Sequence, residues 1–164
     1  ADACDPSGGV THTPIPGCFG LPDLVIEGID TASLRVVPAT LGLEGTASVL
    51  VKNQGSAPSG GGFRVTLFRD ADGNGAYDPT SEATFGTALH GELAAGGSSA
   101  VVVPLAGTVD FPGEFVSAFV DSERTVLESN ETNNVRNTAP ECRFVPPPRD
   151  WFKTRVKWSW SGSP

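Results

Sequence analysis

Short runs of apolar residues, each cut off by a cluster of Gly, Pro, Asn or Asp, recur from Pro22 to about Ala139. The runs fall at 24–29, 34–37, 46–53, 63–69, 83–89, 98–105, 114–121 and 134–138. Val49 and Val51 alternate with Ser48 and Lys52, and Phe63, Val65 and Leu67 alternate with Arg64 and Thr66. A period of two puts one face of a strand in a core and the other in water. Asn53-Gln54-Gly55, Ser59-Gly60-Gly61-Gly62, Gly96-Gly97 and Pro112-Gly113 stand between the runs as turn formers. No amphipathic helical period interrupts them. The expectation is an all-β chain: an immunoglobulin-like antiparallel β-sandwich, with a barrel as the structural alternative.

Composition narrows the class further. A length of 164 residues suits one domain with tails, and 20 Gly with 14 Pro fit a turn-rich sheet protein. The net charge of −8 argues against nucleic acid, which wants a basic face. No apolar run reaches the length of a membrane span. Met is absent, and Ala1-Asp2-Ala3-Cys4 reads as a processed N-terminus. With three Cys, this points to a secreted, extracellular or cell-surface protein.

The sequence divides into a Gly/Pro-rich leader at 1–21, a β-sandwich at 22–140 and a tail at 141–164. Pro146-Pro147-Pro148 form a stiff, extended tether. Beyond it, Trp151 opens a strand in which Phe152, Thr154, Val156, Trp158 and Trp160 share one face. Lys153, Arg155, Lys157 and Ser159 share the other. All three Trp lie here. Residues 146–164 carry four basic residues against Asp150, a net of +3, so the remainder holds −11 of the total −8. A basic aromatic strand on an acidic body predicts self-assembly: the strand adds to a neighbouring copy, and open head-to-tail addition makes a filament. The alternative is a calcium-dependent glycan-binding module with Trp151, Trp158 and Trp160 stacked on sugar rings.

The strongest site signal is Asp70-Ala71-Asp72-Gly73-Asn74-Gly75-Ala76-Tyr77-Asp78, running on to Glu82. Oxygen donors at alternate positions followed by Gly match the start of a calcium loop. Asp70, Asp72 and Asn74 take the first three ligand positions, Ala76 offers its backbone carbonyl, and Asp78 binds directly or through water. Ser81 stands where the closing Glu is expected, with Glu82 one residue late. Hard oxygens favour calcium over thiol- or imidazole-seeking metals.

Three further stretches carry a resemblance. Pro22-Asp23-Leu24, Val51-Lys52-Asn53-Gln54-Gly55 and Glu128-Ser129-Asn130-Glu131-Thr132-Asn133-Asn134 together resemble the CARDB family of bacterial extracellular modules. The stretch from Phe68 to Gly75 is similar to that family's third strand and its loop. The resemblance runs from Pro22 to Thr138. It implies an immunoglobulin-like sandwich, an adhesion or assembly role, calcium in some members, and no catalysis. For the Glu128–Asn134 stretch itself, a structural turn is favoured over a second calcium site, since Asn and Asp bond back to their own backbone.

Enzyme signals are weak. His12 and His90 have no partner pattern and read as surface residues; Asp121 with Glu123 would make a carboxylate dyad only in a cleft. The cysteines leave three pairings open. Cys4 can close a local loop with Cys18, an extended leader can bring Cys4 to Cys142 of the same chain, or Cys142 can cross-link to the leader of a neighbouring copy.

Overall fold

The computed structural model describes residues 20–110 and 116–138. Eight strands follow one another: β1 (Leu24–Asp30), β2 (Leu34–Val37), β3 (Gly42–Asn53), β4 (Phe63–Phe68), β5 (Thr84–His90), β6 (Ser98–Pro104), β7 (Ser117–Val120) and β8 (Val135–Asn137). The expected runs all appear. β3 begins four residues earlier than the expected 46, because its first residues pair with β2, from Leu34 opposite Gly45 to Val37 opposite Gly42.

Every pairing is antiparallel. In the first sheet, β1 lies along β3 from Leu24 opposite Asn53 to Asp30 opposite Ser48. β6 takes the other edge of β3, and the chain beyond it stays there, with Val109 N–H donating to Leu41 O at 2.9 Å. β2 therefore shares the β1 edge, and the two form one interrupted strand. The second sheet runs β5-β4-β7-β8.

Alternation builds the core as expected. Val49 and Val51 from β3, Phe63, Val65 and Leu67 from β4, Val101 and Val103 from β6, and Ala118 and Val120 from β7 are buried together between the sheets. Each such Val, Leu or Phe contributes roughly 1.5–3 kcal/mol by leaving water. The sheet edges meet at two seams. On one, Ala106 N–H donates to Phe85 O at 2.8 Å and His90 Nε2 lies 2.8 Å from Ser99 Oγ. His90 is thus not the plain surface residue expected from sequence: it also stacks on Phe63 at 5.1 Å. On the other seam, Arg136 Nη1 donates to Ile26 O at 3.1 Å.

Two residues on the nominally wet face of β4 are buried. Thr66 makes a hydroxyl contact with Ser122 at 2.7 Å, and Phe68 is fully buried with Tyr77 packed on it, at 4.8 Å between ring centroids. That second contact folds the β4–β5 connection back over the sheet and sets up the site. The leader with Cys4 and Cys18, Cys142, and the tail from Trp151 to Trp160 lie outside the described residues.

Candidate metal loop and the adjoining cavity

The acidic stretch is the connection between β4 and β5. Arg69 N–H donates to Ala83 O at 2.9 Å and closes its base. Tyr77 pins its far side: the ring sits on Phe68 and 6.3 Å from Phe119, and its hydroxyl meets Thr84 Oγ1 at 2.6 Å. Between these anchors the chain turns through Gly73 and Gly75 at φ 70° and 75°, a conformation in which a side chain on Gly75 would be strained.

The loop brings Asp70, Asp72 and Glu82 together, with one carboxylate oxygen of each within 4.8 Å of the others. Glu82 is the buried member. Its Oε1 accepts Ala71 N–H at 3.1 Å and its Oε2 accepts Asp78 N–H at 2.8 Å. Asp70 Oδ2 accepts Gly75 N–H at 2.9 Å, whereas Asp70 Oδ1 is buried with no partner. Three hard carboxylates this close repel one another, and an orphaned oxygen among them is what a cation would satisfy. The donor set fits calcium or another oxygen-seeking divalent ion.

The other expected ligands are placed differently. Asn74 Nδ2 donates to Asp72 Oδ2 at 2.8 Å, and Asn74 Oδ1 accepts Ala76 N–H at 2.6 Å. Asp78 caps its own turn: Oδ1 accepts from Thr80 N–H and hydroxyl, and Oδ2 accepts from Ser81 hydroxyl. Those bonds, led by the Thr80 hydroxyl, hold the Asp78 carboxyl below its ordinary value. Asp78 therefore stands apart from the cluster, and Glu82, one residue late in the calcium-loop pattern, stands in it.

The sequence motifs meet at one end of the sandwich. Asp23 N–H donates to Asn53 Oδ1 at 3.1 Å, Gln54 Nε2 to Asp23 Oδ2 at 3.0 Å, and Asn133 Nδ2 to Asp23 Oδ1 at 2.8 Å. Ser129 N–H donates to Pro22 O at 2.9 Å. Glu128 is buried and accepts from Leu24 N–H and, at 2.6 Å, from Asn134 Nδ2. These bonds tie the start of β1 to the end of β3 and to the hairpin before β8. Burial pushes the Glu128 carboxyl up to about 7, with Glu131 and Asp121 adding to the rise and the two donors opposing it. The Asp121–Glu123 dyad does not form. Asp121 accepts from Thr125 and Val126 within its own turn, and Glu123 pairs with Arg64 at 2.8 Å.

Between the acidic loop and this hairpin lies a cavity of about 220 Å³, lined among others by Tyr77, Phe119, Arg124, Glu131, Asn134 and Val135. Sequence reasoning did not find it. Its only signals were the chain's single Tyr inside the acidic loop and Phe119 on the outward face of β7, and neither predicts the other's position.

An antiparallel sandwich of two four-stranded sheets, with an acidic loop on one face and a polar clasp at one end, defines an immunoglobulin-like β-sandwich module. The CARDB family profile matches residues 21–138, and the chain belongs to that family over this span. A domain from a Methanosarcina acetivorans protein assigned to the cell surface superposes with a TM-score of 0.54 at 26% identity, covering 72% of this chain and 89% of that one. A CARDB domain from Pyrococcus furiosus, solved in complex with di-metal ions, gives a TM-score of 0.48 at 22% identity, covering 73% and 92%. No match arises among curated proteins.

Proposed function

We propose that this chain is an extracellular adhesion subunit that joins copies of itself through its C-terminal strand, 151–160, and that calcium held by Asp70, Asp72 and Glu82 braces its β4–β5 loop. One observation carries the assembly reading. The described residues already supply two four-stranded sheets and a buried core, so the amphipathic, Trp-bearing stretch read as a strand from the sequence is not needed to build them. A strand with one apolar face gains by covering it on another surface. The convergence of three carboxylates around the orphaned Asp70 Oδ1 supports the calcium reading. The cell-surface assignment of the Methanosarcina relative supports an extracellular place.

Two measurements test this. Deleting residues 149–164 is expected to leave a folded monomer by sedimentation, while the full chain sediments as a multimer. A truncated chain that still assembles would refute strand joining. For the metal, calcium at 100 times its dissociation constant is expected to add about 2.7 kcal/mol of stability if only the native state binds it. Asp72→Ala should abolish the rise in melting temperature, and Asp78→Ala should change it less. No response to calcium or to a chelator would remove calcium from the account.

A further inference from the structure

The cavity beside the metal loop combines two properties that select its occupant. Its walls include two aromatic rings, Tyr77 and Phe119, and the aliphatic Val135. Arg124 lines it and enters no salt bridge among the described residues. An indole matches both: a large flat apolar body, and a π face that attracts a guanidinium. At about 220 Å³ the space is smaller than the roughly 300–1,000 Å³ of sites for drug-sized molecules, and suits a single large side chain.

We infer that this cavity receives a tryptophan, Trp158 or Trp160, from the 151–160 segment of a second copy of the chain. The inference rests on the reading that this segment joins copies. The module has no Trp of its own to offer, because all three lie in the tail. Charge agrees. Glu131 lines the cavity and Asp72 and Asp78 belong to the loop that walls it, while Lys153, Arg155 and Lys157 alternate with the apolar residues of the incoming segment. The acidic body at −11 and the tail at +3 attract before contact. Reach is sufficient: the 20 residues from Thr138 to Trp158 span up to about 70 Å at roughly 3.5 Å each. Three consecutive prolines make such a path stiff.

Because every Trp lies in the tail, intrinsic Trp fluorescence of the full chain reports the tail alone. In the assembled chain the emission is expected to be blue-shifted and protected from acrylamide. Thr132→Phe, which fills the cavity from its rim, should weaken assembly about tenfold and restore quenching. Arg124→Gly, which keeps a residue at ease at φ 52°, should weaken it about two- to fivefold. A cooperative thermal unfolding transition like that of the unsubstituted chain shows that each variant is folded. If deletion of 149–164 leaves assembly unchanged, the joining reading fails and takes this site with it. If deletion abolishes assembly but Thr132→Phe alters neither assembly nor quenching, the cavity assignment alone is wrong. Trp protection that persists at concentrations where the chain is a monomer would place the segment on its own module and overturn the second-copy assignment. Protection of the monomer's Trp only by an added glycan would overturn it equally.

Discussion

Gly55 shows how a motif residue acts. A β-carbon there would lie 2.4–2.5 Å from the backbone of Leu21, Pro22 and Asp23, so only Gly lets the end of β3 meet the start of β1. Glu128 closes the same junction from the hairpin, and its raised carboxyl makes the junction pH-sensitive. The native state keeps the Glu128 proton up to about pH 7, whereas the unfolded chain loses it near 4.5. Glu128 thus contributes stability that is complete below about pH 4.5 and lost as pH rises through about 7. At about 1.4 kcal/mol per unit the full swing is about 3 kcal/mol. Urea unfolding in calcium-free buffer across this range should show the decline, and Glu128→Gln should flatten it. An unchanged slope in the Gln variant would assign the pH dependence to other groups. The motif residues were legible as a turn in the sequence. Their partners were not, because Asp23 with Asn133 and Leu24 with Glu128 join residues more than a hundred positions apart.

At the scale of elements, β4 and its outgoing loop decide the site. The period of two in 63–67 predicted its core face correctly, since backbone geometry alone sends alternate side chains to opposite sides. Phe68 escaped that logic. It falls on the outward face and is nonetheless buried, with Tyr77 packed onto it from the loop. Tyr77→Ala should therefore destabilise the domain by about 2 kcal/mol, less than a fully buried aromatic costs, because Tyr77 is half-exposed. It should also weaken the calcium response, since the loop loses its anchor. Tyr77→Phe, which removes only the bond to Thr84, should cost about 1 kcal/mol and keep the calcium response. Calorimetry with and without calcium reads both. Equal calcium shifts in all three proteins would show the loop to be held without Tyr77. The sandwich's outer edges are protected as well: β1 shifts register between Ile26 and Gly28, and β8 is three residues long. Short and irregular edges resist uncontrolled pairing, so a joining strand gains more from a cavity than from these edges alone.

For the whole molecule, the separation of charge and of aromatic residues matters most. Tail and body attract over distances that salt screens, so assembly driven by them should slow as ionic strength rises. The three cysteines set a covalent question at this scale. If Cys142 bonds a leader cysteine of the next copy, non-reducing electrophoresis should show a ladder of multimers that collapses on reduction. A lone monomer band would leave only pairings within one chain and make assembly wholly noncovalent.

The strands, their inward residues, the sandwich class and the acidic loop were determined by sequence alone, because each depends on local periodicity, turn chemistry or ligand spacing. Which carboxylates converge was decided only by the tertiary structure: Asp78 spends its oxygens on Thr80 and Ser81, and Glu82 swings in on backbone N–H donors. The cavity belongs to the same category. Its walls come from the β4–β5 loop, β7, β8 and the hairpin before it. Only the packing of two sheets, with a loop folded over one of them, brings Tyr77, Phe119 and Asn134 to a common space.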